Sequence, residues 1–200
     1  MRISPFVFLL LVPVVLFSCI GEDEEIAAPK PRGYFRIDMP EKTYKRYDTT
    51  CPYTFEHPWY SVMITPKEGP AESCWKNLEF PGFKATIHIS YKQVHNNLDT
   101  LLDNVWELTE KHSSVAAGLR DSTIRNSNDK VYGMVFELAG NAASQMQFYL
   151  TDSTDHFLRG ALYFFAEPNK DSIAPVYDFI REDVYHLIST FRWKDKPAAQ

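Results

Sequence analysis

Three cysteines, Cys19, Cys51 and Cys74, are the residues of this sequence whose positions say most about chemistry. A thiol can be acylated, oxidised to a disulfide or used as a metal ligand, and its surroundings decide which of these occurs. Cys19 closes an apolar N-terminal stretch, whereas Cys51 and Cys74 lie in aromatic segments farther along the chain. We therefore expect the first cysteine and the other two to have different chemistry.

The segment before Cys19 has the order of a secretory signal. Arg2 supplies a positive charge, residues 6–17 are apolar, and Ser18 is a small residue directly before the cysteine. The apolar stretch is shorter than the roughly 20 residues of a spanning helix, and Pro13 interrupts it. We therefore predict that residues 1–18 are a signal peptide that is cleaved.

The sequence Leu16-Phe17-Ser18-Cys19 is similar to a bacterial lipobox, in which the cysteine becomes the diacylated and N-acylated first residue. We predict lipidation of Cys19, and each buried methylene of an acyl chain contributes about 0.8 kcal/mol to anchoring. The alternative is a plain secretory signal with a chance cysteine at its end. Residues 19–33 lack apolar periodicity and are predicted to be a tether, whose acidic run Glu22–Glu25 is either an export signal or a charged spacer.

Once Cys19 is assigned to lipid, Cys51 and Cys74 remain as an even pair in an oxidising compartment. We predict a disulfide between them, which would contribute roughly 3 kcal/mol by restricting the unfolded chain. Two buried thiols are the alternative. We expect no metal site, because neither cysteine belongs to a CxxC motif or has a histidine at zinc-ligand spacing.

The other polar residues form no recognisable catalytic or cofactor-binding motif. GxSxG, GxGxxG, HExxH and the P-loop are all missing from the sequence. The carboxylate pairs Asp152 with Asp155 and Glu182 with Asp183 are predicted to lie on solvated surface. We place the histidines on the surface or its rim; they are His57, His88, His95, His112, His156 and His186. The sequence therefore predicts no enzyme activity, no cofactor and no metal.

Composition indicates one globular domain. Hydrophobic residues make up 44% of the chain, with 14 Phe and 11 Tyr, which is enough to form a core. The net charge of -5 is spread over both signs, so a nucleic-acid partner is not expected. We predict a single domain over residues 34–194, followed by a loose tail at 195–200.

The elements that must position these residues are predicted from periodicity. Apolar residues alternate at positions 84–91, which indicates a strand with Ala85, Ile87 and Ile89 on its buried face. The segment 156–165 is apolar on both faces, so we expect it to be the central strand of a meander. The predicted strands are 53–57, 61–65, 75–80, 84–91, 131–138, 145–150 and 156–165.

Two amphipathic helices are predicted, at residues 97–113 and 173–191, the second capped by Asp171 or Ser172 with Pro175 in its first turn. The first helix has an apolar stripe that consists of Leu98, Leu101, Leu102, Val105 and Leu108. These elements predict an α+β fold, with one mostly antiparallel β-sheet and two main helices packed on it. The element order is similar to that of the PsbP/Mog1 group of sandwiches.

Several runs of the sequence are unusual: Pro31–Ile37, Cys51–Phe55, Cys74–Leu78, Tyr132–Met134, Gly140–Ser144, Phe148–Thr154 and Phe157–Gly160. These runs resemble the gliding motility lipoprotein GldD family of Bacteroidetes. The likeness covers about residues 29–194 together with the lipid cysteine, which is nearly all of the mature chain. It supplies no catalytic residues.

The resemblance implies a non-enzymatic component of the gliding motility and linked type IX secretion machinery. We expect it to be lipid-anchored in the cell envelope, at the outer membrane, facing the periplasm or the cell surface. The expected partners are the membrane and other gliding or secretion envelope proteins, with no small-molecule substrate evident. The alternative is an envelope ligand-binding or hydrolytic domain acting on glycan or peptidoglycan, suggested by the aromatic residues Trp59, Tyr60 and Trp75.

Overall fold

Two consecutive strands near the start of the domain and one strand at its end form a small antiparallel sheet. The computed structural model describes residues 36–66, 72, 74–113, 116–166 and 170–194. The small sheet has the order β1 (Tyr44–Asp48), β2 (Tyr53–Pro58) and β10 (Arg192–Trp193). Only β2 was predicted, because β1 shows no alternation of apolar and polar residues and β10 is two residues long.

The other strands form a larger sheet in which every neighbouring pair is antiparallel. Its order is β3 (Val62–Ile64), β4 (Lys76–Phe80), β5 (Ala85–Gln93), β9 (His156–Phe164), β8 (Met146–Thr151), β7 (Val131–Ala139) and β6 (Gly118–Asn126). The strand β6 was not predicted, because it is an edge strand with mostly exposed residues and no buried periodicity. The structure thus has two sheets in its described part, where the sequence predicted one.

The strand β9 lies at the centre of the large sheet, between β5 and β8, as its two apolar faces predicted. Leu158 and Leu162 belong to one core cluster, and Phe157 belongs to a second cluster. Because side chains alternate along a strand, the two clusters lie on opposite faces of the sheet. Gly160 is required on the first face, since a Cβ at this position would collide with the ring of Phe148.

Two helices cover these two faces. The helix α1 (Leu98–Ser113) packs on the face of Phe157, and α2 (Lys170–Thr190) packs on the opposite face together with β2. None of the helices in the described ranges is long and apolar enough to cross a membrane. The α+β class with two helices on antiparallel sheets is confirmed.

The helices differ from their predictions in detail. In α1 the buried positions are Leu101, Val105 and Thr109, whereas Leu108 is 38% exposed, because a four-residue spacing follows the face that meets the sheet. The helix α2 begins at Lys170, so the predicted caps Asp171 and Ser172 lie inside it and Pro175 falls in its second turn.

Candidate functional site

The cysteines were the first predicted site. Cys19 and the tether lie outside the described residues. Cys51 and Cys74 are joined by a disulfide, with their Cα atoms 5.5 Å apart. Cys51 precedes β2 of the small sheet and Cys74 precedes β4 of the large sheet, so the bond ties the two sheets together. The hydroxyl of Tyr53 donates to the Cys74 carbonyl at 2.8 Å, which holds the same junction.

A buried carboxylate in α2, Asp183, contacts three donors from the N-terminal part of the domain. Lys42 Nζ lies 2.9 Å from Asp183 Oδ1, Tyr44 Oη donates to the same oxygen at 3.0 Å, and Tyr60 Oη donates to Oδ2 at 2.5 Å. Asp183 is 2% exposed. We call these four residues the Asp183 cluster.

The prediction that Asp183 lies on solvated surface is wrong. Asp183 is three residues after Ile180 and four before Leu187, both buried core residues, so it shares their face of the helix. This spacing was visible in the sequence and could have found the site. Its neighbour Glu182 is exposed, as predicted.

Burial and hydrogen bonding keep the two tyrosines of the Asp183 cluster protonated. Burial raises the pKa of Tyr44 and of Tyr60, and the hydrogen bond to Asp183 raises each pKa further. Lys42 Nζ also donates to the Phe179 carbonyl at 2.7 Å and lies 4.1 Å from the centre of the Phe179 ring. The cluster therefore has the features of a structural clamp on α2.

A second carboxylate, Glu137 in β7, binds α2 through a different side of the helix. Arg181 donates from Nε and Nη2 to the two oxygens of Glu137, at 2.7 and 3.0 Å, and the hydroxyls of Tyr177 and Tyr185 also donate to it. Burial would raise the pKa of Glu137, but the hydrogen bonds from Arg181 and the tyrosines outweigh burial and hold this pKa below its usual range. We call these four residues the Glu137 cluster.

The other face of the large sheet has a groove under α1, with a volume of about 910 Å³. The apolar residues of its wall on the helix are Leu101, Val105 and Leu108. The sheet contributes polar residues, including His88 of β5 and Arg159 of β9. We call this opening the α1 groove.

Two of the six histidines are buried, so the prediction that all lie at the surface is wrong for His57 and His156. His57 Nδ1 lies 2.7 Å from Ser61 Oγ, which donates in turn to the Pro58 carbonyl. Burial lowers the pKa of His57 to about 4, and the charge of Lys45 acts in the same direction. No group of His, Cys, Asp and Glu suited to a metal ion occurs among the described residues.

The three aromatic residues of the alternative prediction do not form one cleft. Trp59 is 56% exposed, Tyr60 belongs to the Asp183 cluster, and Trp75 lines the α1 groove. Trp75 Nε1 donates to the Tyr91 carbonyl at 2.8 Å, which fixes the indole at the wall of the groove. Only Trp75 is therefore available to a ligand in that groove.

Residues 24–193 match the family described as gliding motility lipoprotein GldD. This chain belongs to that family. The match covers the whole fold from β1 to β10 and begins after Cys19. Membership in the GldD family supports a membrane-anchored component of the cell envelope that serves gliding motility.

Among curated proteins, none matches this GldD family member. A solved structure with similarity to it is cyanobacterial PsbP (CyanoP) from Synechocystis sp. PCC 6803, determined in solution. The two share 11% sequence identity over 80% of this chain and 97% of the PsbP chain, with a TM-score of 0.47.

Proposed function

We propose that this chain is a non-enzymatic, lipid-anchored component of the gliding motility and type IX secretion machinery that acts through contacts with other envelope proteins. The observation that carries the proposal is the GldD family match over residues 24–193. The N-terminal sequence supports the anchor, with Cys19 as the acylated residue and residues 19–33 as the tether of a domain spanning residues 34–194. The outer membrane is the proposed location.

The exposed side of α1 supports a role in protein contacts. Trp106 is 47% exposed and packs edge-on against Phe136 of β7, with ring centres 5.1 Å apart. Leu119 of β6 is 45% exposed and pairs with Leu138 of β7 on the same face of the sheet. Exposed tryptophan beside a sheet edge is a combination that protein interfaces use.

Complementation of a deletion strain tests this proposal. We expect the deletion to reduce both colony spreading and secretion of type IX cargo, and Trp106→Ala to restore them incompletely. Trp59→Ala is the matched control, because Trp59 is also exposed but lies in the loop between β2 and β3. Normal spreading and normal secretion in the deletion strain would contradict the proposal.

Cys19→Ala tests the anchor separately. We expect this variant to lose its acyl label and to leave the membrane fraction, since the described helices provide no other span. Protease treatment of intact cells then decides which side of the outer membrane the domain occupies. An acylated Cys19→Ala protein would show that another residue receives the lipid.

The α1 groove favours a second function, binding of glycan or peptidoglycan. Trp75 can stack on a sugar, and His88 beside it has a pKa lowered by desolvation, with Arg159 acting in the same direction and Glu79 against it. Incubation with purified peptidoglycan tests this function, with binding and release of soluble fragments as readouts. Trp75→Ala should abolish binding if the groove is used.

A further inference from the structure

Arg159 of β9 carries a desolvated charge without an opposite charge beside it. Its Nη2 donates to Gln147 Oε1 at 2.5 Å, and its other side-chain partner is the hydroxyl of Tyr163. Both partners are neutral, and within the described ranges no carboxylate forms an ion pair with Arg159. Its Nε is shielded from solvent and has no acceptor there.

The neighbours of Arg159 supply an unused donor and imidazole rings that are held neutral. Gln147 Nε2 is also buried without an acceptor among the described residues. The charge of Arg159 lowers the pKa of His88 and of His112 after desolvation, so both imidazoles lie within its field. Tyr163 joins them, since its hydroxyl lies 3.1 Å from His112 Nε2 and its ring packs on His88.

Such a cation is costly, because removing a guanidinium from water is compensated only when an anion or enough acceptors replace the water. Arg181 shows the compensated case in the same protein, with two hydrogen bonds to Glu137. Arg159 lines the α1 groove, where a ligand can supply the missing anion. An arginine is suited to this role, since its fork of donors matches carboxylate and phosphate oxygens.

The groove offers a surface for an apolar body next to this charge. Leu101, Val105 and Leu108 supply the apolar residues of the helix wall, and Phe157 lies in the sheet below. The volume of about 910 Å³ is within the range of small-molecule sites. Apolar walls with one fixed charge are typical of sites for amphipathic ligands.

The charges that line the groove are positive in sum, although the chain as a whole has a net charge of -5. Besides Arg159, the lining has the cation Lys92, which is exposed. The carboxylate of Glu107 is neutralised by its ion pair with Lys111, at 2.7 Å. Glu79 is the other carboxylate of the lining, and its field acts on His88. A negatively charged ligand is therefore favoured over a positively charged one.

We propose that the α1 groove binds a small anionic amphiphile, whose carboxylate or phosphate head lies against Arg159 and whose apolar body lies along Leu101, Val105 and Leu108. This site is independent of the proposed role in motility. Free fatty acid anions and alkyl phosphates share this chemistry.

Equilibrium dialysis against the mature lipidated protein in zwitterionic nanodiscs tests the site, with binding to empty nanodiscs subtracted. The probes are octanoate, octyl phosphate, octanol and octylammonium. We expect saturable binding of at least one of the two anions. Octanol and octylammonium should bind at least roughly 10-fold more weakly, which is the lower range for loss of a charge-assisted hydrogen bond. The ratio of the two anion affinities identifies the head group.

Two variants locate the ligand. Arg159→Gln should weaken anion binding roughly 10- to 100-fold, and Arg120→Gln, on the exposed edge strand, should leave it unchanged. Leu108→Glu places a negative charge in the lining at a 38% exposed position and should also weaken binding. Its matched control is Leu119→Glu, at a 45% exposed position outside the groove. The Leu108 pair keeps the test valid if Arg159→Gln fails to fold.

Three results would overturn the proposal. The first is no saturable binding of either anion above the empty nanodiscs. The second is equal binding of octanol and the anions, which would leave Arg159 without a role. The third is anion binding that Leu108→Glu and Leu119→Glu weaken to the same extent, which would place the ligand outside the groove.

Discussion

On the α2 face of the large sheet, the carboxylates of Asp183 and Glu137 each meet several donors, whereas on the α1 face the half-buried Arg159 meets no carboxylate in the described part of the chain. Asp183 has contacts with one amine and two hydroxyls, and Glu137 has contacts with one guanidinium and two hydroxyls. Among the described residues, the side-chain partners of Arg159 are Gln147 and Tyr163. We call the α2 face closed, because these carboxylates have their donors. We call the α1 face open, because Arg159 has no anion beside it among the described residues.

The difference separates polar residues that fix the fold from polar residues that are available to a ligand. A buried carboxylate with all its donors in place holds its helix in one position, and losing any partner leaves a buried polar group unsatisfied. An arginine without an anion gains from a ligand that brings one. We therefore expect substitutions on the α2 face to lower the stability of the fold, and substitutions of Arg159 on the α1 face to weaken ligand binding with little change in stability.

The largest expected effect is that of Asp183→Ala. The substitution leaves Lys42, Tyr44 and Tyr60 without their acceptor, which should cost about 3–5 kcal/mol in the free energy of unfolding. Thermal denaturation should show a loss on the order of 10 °C. Glu182→Ala is the matched control, because Glu182 also lies near Lys42, at 3.2 Å, but its side chain is 68% exposed. Equal losses of stability for the two variants would contradict the interpretation of the Asp183 cluster as a structural clamp.

Protonation of His57 adds a charge next to the closed face. Its pKa is lowered from 6.5 in the unfolded chain to about 4 in the fold, so the unfolded state binds the extra proton first as pH falls. The contribution of neutral His57 is complete above pH 6.5 and is lost as pH falls to about 4, which should cost about 3 kcal/mol.

Urea denaturation across this pH range measures the effect. His57→Asn removes the titrating group, so its stability should fall less steeply with pH than that of the wild type. His95→Asn, at an exposed position, should leave the slope unchanged. An identical slope in the wild type and His57→Asn would show that another group causes the acid sensitivity.

Arg181→Met should cost about 2 kcal/mol. It removes both hydrogen bonds of the guanidinium to Glu137 and leaves that carboxylate with its two tyrosine donors. Urea denaturation at neutral pH measures the loss. A variant as stable as the wild type would mean that the Glu137 cluster contributes nothing to the packing of α2.

The smallest expected effect is that of Arg159→Met, the matched substitution on the open face. Relief of the desolvated charge should offset the loss of the hydrogen bond to Gln147, so the free energy of unfolding should change by less than about 1 kcal/mol. A loss as large as that of Arg181→Met would show that Arg159 is structural, and the contrast between the faces would then fail.

Local patterns in the sequence determined much of the fold. The alternation of apolar residues in β5, the two apolar faces of β9 and the helical stripe around Ile180 each predicted an element, and the two apolar faces of β9 also predicted its central place. These patterns work because side-chain burial follows the period of the element itself. The cysteine positions likewise predicted the pairing of Cys51 with Cys74.

Tertiary structure alone decided the second sheet and the surroundings of the charged residues. The strands β1 and β6 are held by pairing with neighbours rather than by a periodic pattern, and Lys42 and Tyr44 reach Asp183 from about 140 residues away. The spacing of Asp183 from Ile180 and Leu187 could have shown that it faces inward, although it was predicted on solvated surface, but no spacing shows its donors, which come from distant parts of the chain. The same holds for Arg159. Its partners depend on which segments the fold brings next to it, and local sequence does not show them.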